Sequence, residues 1–330
     1  VREVGFMTGT AAREWGNISF NNNIIKNASY NVFFTNSGAT YRPNNLTIYN
    51  NNFSDSLIGV SNSVNYENRL GNNIIIRDNM MWNLTRGFDL EGTTLIHNNL
   101  IILNNTIYTN ETSMVFSEMY SLSILNNTIF SKSSGLVLTG SVDVVVMSNV
   151  IEVSTNGFTS SDSTGNFTEN VIIGNCYEQE CKTVYFSEVA LNGIKLLDRS
   201  EFTIERNNLT NFDVSINITN SYGLTSLNEL DLSNIGISIQ GSQNYLVSYN
   251  SLTNSIMPVK IQDSEHITVS SNNISHFLVG IKTFNSTINL LSNNFQNGEL
   301  CLEFIDSEYT LPTYENFDCS DSYVYVKYNV

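Results

Sequence analysis

The stretch GISIQGSQNYLVSYNSLTNSIMPVKIQDSEHITVSSNNISHFLVGIKT, residues 236–283, decides the fold. It opens on Gly236-Ile237-Ser238-Ile239, returns 22 residues later as Pro258-Val259-Lys260-Ile261, and again 22 later as Gly280-Ile281-Lys282-Thr283. Between these runs lie Tyr245-Leu246-Val247 and Ile267-Thr268-Val269, each followed by an Asn-x-apolar step at Asn250 and Asn272. Each period therefore holds three short segments, several with period-2 alternation, separated by polar corners. No helical period fits over a useful length.

Outward from this stretch, the Asn-x-apolar step recurs at Asn22, Asn51, Asn79, Asn104, Asn126, Asn149, Asn170, Asn207, Asn228, Asn250, Asn272, Asn293 and Asn316. Eight of the twelve intervals lie between 21 and 23 residues, so one period governs most of the chain. A second mark shares that period: Gly87-Phe88-Asp89-Leu90, Gly135-Leu136-Val137-Leu138 and Gly193-Ile194-Lys195-Leu196. A constant period of this kind means that one unit coils once and stacks on the next, because no single unit can bury its apolar face alone. Asn suits the corners, since it tolerates the left-handed conformation and hydrogen-bonds its own backbone. Stacked in register, Asn amides form a ladder that satisfies each buried amide coil by coil.

The pattern Gly236-Ile237-Ser238-Ile239, then Val247, Asn250 and Leu252, resembles the right-handed parallel β-helix repeat of pectate-lyase-like enzymes, NosD-type periplasmic proteins, adhesins and viral spikes. The resemblance covers roughly residues 20–320. It implies an all-β, single-stranded, right-handed parallel β-helix (solenoid) of about 13 coils with roughly 22 residues per coil. Residues 1–19 are expected to form an N-terminal cap or the continuation of a longer chain, residues 20–322 the β-helix, and residues 323–330 a closing strand. The 37-residue step after Asn170 reads as an insertion near 174–190 stapled by Cys176 and Cys181. Cys301 and Cys319 are expected to pin the far end. Two local disulfides, rather than a zinc site, fit cysteines without CxxC spacing and three scattered histidines. Four free thiols are the alternative.

The composition narrows the function. Of 330 residues, 51 are Asn, 40 Ser and 28 Thr, while Lys and Arg together number 15 against 31 Asp and Glu. The net charge of −16 argues against nucleic acid, whose phosphates need clustered cations. No apolar run is long enough to span a membrane. The Asp-Asp, Gly-His-Gly and Arg-Ile-Lys strings of polygalacturonase-type hydrolases are absent, as is an acidic cluster with a partner Arg of the pectate-lyase kind, so no catalytic residue carries over from the resemblance. No cofactor or metal is expected; calcium is the one ion considered, and no motif supports it.

Three function classes stay open. The first is an extracellular, non-enzymatic surface scaffold, adhesin or virion spike, with glycans or neighbouring surface subunits as partners and homo-oligomers or filaments as assemblies. The second is a lyase, hydrolase or epimerase of an acidic polysaccharide; its candidates are Asp89 and Glu91 with Arg86, since a carboxylate pair can serve as acid and base. The third is a NosD-like periplasmic accessory protein. Outward positions read as Asp89, Lys195, Ser215, Ser238, Lys260 and Lys282; Lys260 and Lys282, with Glu303 close in the repeat, are candidates for an anionic sugar or for a solvated ion-pair network. Candidate N-glycosylation sites are Asn17, Asn27, Asn45, Asn52, Asn83, Asn110, Asn166, Asn208, Asn217, Asn273 and Asn285. The sequons at Asn104 and Asn126 are expected to be ladder amides instead.

Overall fold

A computed structural model describes residues 4–8, 17–34, 45–62, 73–92, 99–175, 192–311 and 316–328. Every described element is a β-strand, and the strands pair in parallel. They wind a solenoid of about 12 turns with about 22 residues per turn, as the repeat predicts. The chain divides into two compact units, Val1–Ser154 with Ser163–Asn166, and Thr155–Asp162 with Phe167–Val330.

In the first unit each turn has three separate strands. The leading face stacks Ile18–Asn21, Leu46–Tyr49, Ile74–Arg77, Leu100–Leu103, Tyr120–Leu125 and Val142–Met147. The middle face stacks Ile24–Lys26, Asn52–Ser54, Met80–Leu84, Thr106–Thr109, Thr128–Ser131 and Val150–Val153. The trailing face stacks Val4–Thr8, Tyr30–Phe34, Ile58–Asn62, Arg86–Glu91, Met114–Ser117 and Leu136–Thr139. Part of the expected N-terminal cap is therefore a coil strand, Val4–Thr8. Alternation sends Leu46, Ile48, Ile74, Ile76, Leu100 and Ile102 inward, where like stacks on like and each is essentially inaccessible. Burying each such side chain contributes on the order of 2 kcal/mol.

In the second unit Asn156–Ser161, Val171–Gly174 and Asn192–Leu197 are still separate strands, and from Asn208 on the middle and trailing segments run together as 12-residue bent strands: Asn208–Thr219, Glu229–Gln240, Ser251–Gln262, Asn273–Phe284, Asn294–Ile305 and Asn316–Lys327. The leading strands Glu201–Glu205, Tyr222–Ser226, Tyr245–Ser248, Ile267–Ser270, Thr287–Leu291 and Glu308–Thr310 stack beside them. The expected closing segment from Tyr323 lies inside the last bent strand. The expected insertion, with Cys176 and Cys181, lies outside the described residues.

The amide ladder exists, and it corrects four anchors. Its rungs are Asn23, Asn51, Asn79, Asn105, Asn127 and Asn149 in the first unit, and Asn170, Asn207, Asn228, Asn250, Asn272 and Asn293 in the second. The Nδ2 of one rung donates to the Oδ1 of the next at about 3.0 Å, for example Asn228 to Asn250. Asn22, Asn104 and Asn126 are instead exposed corner residues with φ of 56°, 55° and 54°. Each belongs to an Asn-Asn pair, in which the first residue takes the left-handed turn and the second turns its amide inward. Asn316 is exposed and begins a strand.

A second ladder went unread in the sequence. Backbone N–H groups of Ser221, Ser242, Ser264 and Ser286 donate to the hydroxyls of Ser242, Ser264, Ser286 and Ser307, one coil on, at 3.1–3.3 Å. Each of these hydroxyls also donates to the carbonyl two residues before it, as Ser264 does to Gln262. The signal was an Asn, Asp or Gly before Ser, once per period: Asn220, Gly241, Asp263, Asn285 and Asp306.

Not every corner has its best residue. Leu232 sits at φ 53° and is 53% exposed, between Asn211 and Asn254 in the equivalent turns. A leucine there bears the left-handed penalty while leaving more than half of its surface exposed. Leu232→Asn should raise stability by about 1 kcal/mol in urea melts, and Leu232→Val should lower it.

Candidate functional site

The trailing face brings the first candidate set together. Asp89 points outward beside Val115 on one flank and Ser61 on the other, and Glu91 lies beside Ser117. Arg86 Nη1 donates to Asp89 Oδ2 at 2.9 Å, and its Nε is 3.9 Å from Glu111. Asn62 brackets the Glu91 backbone, accepting from its N–H at 2.9 Å and donating to its carbonyl at 2.6 Å. Partial burial pushes the Glu91 carboxyl above its ordinary value, and the charges of Glu118 and Asp89 add to the rise. Because the folded protein holds that proton more tightly than the unfolded chain, charged Glu91 costs stability at neutral pH. The cost disappears as pH falls below the ordinary value of 4.5. Glu91→Gln should therefore stabilise at pH 7 by up to about 0.5 kcal/mol, a gain screened by salt, with the wild-type and variant melting curves converging near pH 4.

The second candidate set is an ion-pair row. Lys260, Lys282 and Glu303 stack on successive coils. Lys282 Nζ lies 2.7 Å from Glu303 Oε2, both side chains largely covered, and 5.1 Å from the Phe284 ring centroid. Among the described residues no carboxylate pairs with Lys260. Ser215, expected on this row, is fully buried, and Asn217 stands there instead, between Lys195 and Ser238. The run reads Ser215-Ile216-Asn217-Ile218, with serine at the glycine position.

The sequons separate cleanly from the ladder. Asn17, Asn27, Asn45, Asn83, Asn104, Asn110, Asn126, Asn166, Asn208, Asn273 and Asn285 are exposed, and Asn52 and Asn217 are half-buried. The expectation that Asn104 and Asn126 are ladder amides is thus overturned. The geometry explains the split: two residues after each ladder Asn comes an inward apolar side chain, such as Ile107, Ile129 or Leu252, so a ladder Asn cannot head a sequon. Several sequon amides tie neighbouring coils, as Asn83 Nδ2 does to Asp55 Oδ1 at 2.8 Å and Asn285 Nδ2 to Asp263 Oδ1 at 2.9 Å. The second of these bonds, with one from Gln262, holds the Asp263 carboxyl below its ordinary range.

Cys301 and Cys319 form a disulfide between adjacent bent strands, with Cα atoms 5.8 Å apart. It borders a groove of about 700 Å³ lined by residues of four successive coils, including His276, Leu278, Glu299 and Asp318. Tyr108 and Phe130, on the middle face of the first unit, stack ring on ring at 4.6 Å and 6°, so each covers one face of the other. Among the described residues no group of three His, Cys, Asp or Glu side chains could hold a metal, and no helix is long and apolar enough to cross a membrane.

The family model described as "Right handed beta helix region" matches residues 42–209, half of the chain. The chain belongs to the right-handed β-helix family. No characterised protein sequence matches it significantly. Solved β-helix structures resemble it at low identity. The mannuronan C-5 epimerase AlgE6 A-module of Azotobacter vinelandii is 12% identical, over 96% of this chain and 91% of that one, with a TM-score of 0.32. PfbA, a surface adhesin of Streptococcus pneumoniae, is 12% identical over 85% of each chain, with a TM-score of 0.39. The catalytic domain of a GH87 α-1,3-glucanase is 11% identical over 95% of this chain and 62% of that one, with a TM-score of 0.30.

Proposed function

We propose that this β-helix is a non-enzymatic surface protein, a scaffold or adhesin that displays polar, N-glycosylated faces outside the cell or on a virion. The observation that carries this reading is how its outward side chains are engaged. Asp89 is tied to Arg86 within one strand, and others are tied along the stack: Lys282 to Glu303, Asn99 to Asn73 to Asn45, and Asn316 to Asn294 to Asn273. Side chains bonded to one another in this way suit rigid display, whereas acid–base chemistry needs groups held ready to exchange protons with a substrate. The Cys301–Cys319 disulfide supports an oxidising compartment. The exposed sequons support glycan attachment; a glycosylated amide keeps one N–H, enough to preserve the bond from Asn83 to Asp55.

The test is incubation with pectin, polygalacturonate and alginate, with and without calcium, alongside intact-mass analysis of the native protein. No chain shortening, no epimerisation and added hexose mass are expected. The raised Glu91 carboxyl beside the ion-paired Asp89 favours a second reading, a carbohydrate-active enzyme with Glu91 as acid. Turnover that disappears in both Glu91→Gln and Asp89→Asn would establish that reading and end the first.

A further inference from the structure

The groove beside the disulfide has the make-up of a sugar site. It follows the corner between the middle and trailing segments of the bent strands. Asn254, His276 and Asn297 occupy the same turn position on three successive coils, at φ of 51°, 56° and 54°. The left-handed turn projects all three from the surface, so amide, imidazole and amide repeat at about 4.8 Å, the spacing of neighbouring strands. The residue after each is buried: Ser255, Phe277 and Gly298. Gly298 is required here, because a Cβ would lie 2.0 Å from the Phe277 ring. The next residues are Ile256, 42% exposed, Leu278, 46% exposed, and Glu299, also exposed. Asp318 and Ser320, on either side of Cys319, complete the lining.

We propose that this groove binds a neutral linear oligosaccharide along the coil direction, about one pyranose per coil. A pyranose has an apolar C–H face and a rim of hydroxyls. Ile256 and Leu278 offer the exposed apolar surface, and His276, Asn297, Glu299 and Asp318 offer donors and acceptors beside it, with Asn254, whose amide donates to Asp231 Oδ1 at 2.8 Å, adding its carbonyl oxygen. The rise per coil, about 4.8 Å, is close to the length of one pyranose with its linkage. The lining contains two carboxylates and no Lys or Arg, so it repels a uronate and admits a neutral sugar. This ligand class differs from the acidic sugar considered for Lys260 and Lys282. The disulfide joins the strand that carries Glu299 to the strand that carries Asp318, and so fixes two sides of the groove.

The inference deepens the surface-protein reading, which supplies only the expectation that bound sugar is released unchanged. The experiment is calorimetric titration of the full chain with cellohexaose, mannohexaose and hexagalacturonate, followed by chromatography of the recovered sugar. At least one neutral hexamer should bind and hexagalacturonate should not. Leu278→Asn and His276→Gly, both at exposed positions and the second at a φ of 56° that glycine adopts freely, should each weaken binding by about tenfold with unchanged melting. Asn208→Ala, outside the groove, should leave binding unchanged. No binding of either neutral hexamer, equal binding of hexagalacturonate, or full binding by Leu278→Asn overturns the site and leaves the surface-protein reading standing. Shortened sugar in the recovered fraction would do the reverse.

Discussion

Asn250→Ala should cost about 4 kcal/mol of stability. Asn250 is 1% exposed. Its Oδ1 accepts from both the N–H and the Nδ2 of Asn228, at 3.1 and 3.0 Å. Its Nδ2 donates to the Thr225 carbonyl and to Asn272 Oδ1, each at 3.0 Å. Truncation leaves the Asn228 N–H and one Asn228 amide hydrogen buried without partners, each costing about 1–3 kcal/mol before water or local relaxation recovers part of it, and takes from the Thr225 carbonyl its side-chain donor. Asn250→Asp should be worse, since it keeps the acceptor but buries a charge facing Asn272 Oδ1 and the Thr225 carbonyl. Asn208→Ala, at an exposed site, should stay within about 0.5 kcal/mol. Urea melts of the three variants decide the matter; equal losses at Asn250 and Asn208 would mean that the ladder is ornamental.

The ladder also shows which parts of the fold were legible. Apolar alternation at a 22-residue period gave the three faces, because inward positions are constrained turn after turn by the same narrow core. The corners were legible to within one residue. In Asn104-Asn105 and Asn126-Asn127 the two residues are chemically identical, and only backbone geometry decides which amide turns inward. The Ser ladder was marked by an Asn, Asp or Gly before serine but was masked by 40 serines in the composition. Outward positions obey no repeating constraint, so Ser215 and Asn217 could be exchanged by a two-residue misalignment, whereas core residues could not. The groove needed that same accuracy in three coils at once. His276 shares a turn position with Asn254 and Asn297 only when all three corners are placed correctly, and nothing in the chain around a lone histidine announces it.

Removing the disulfide should have the second large effect, and a localised one. Joining residues 18 apart restricts the unfolded chain, and by loop-closure entropy the Cys301–Cys319 bond contributes about 3 kcal/mol. In a solenoid each turn is held by its neighbours, so the loss should appear where the bond is rather than across the molecule. Among the described residues the strand Asn316–Lys327 pairs with Asn294–Ile305 alone, and its Tyr323 and Tyr325 are 58% and 48% exposed. Without the bond this strand has no covalent cross-link to the turn before it beyond the main chain itself, and its backbone hydrogen bonds should open first. A Cys301→Ser/Cys319→Ser variant should show hydrogen exchange accelerated over residues 294–327 and unchanged at Leu46–Tyr49. Its melting should become broader than two-state, as expected when one end of a repeat array unfolds before the rest. The groove shares that strand through Asp318 and Ser320, so oligosaccharide binding should weaken at temperatures well below the main transition. Uniformly faster exchange throughout the second unit would show that its turns unfold as one body and that the bond stabilises all of them.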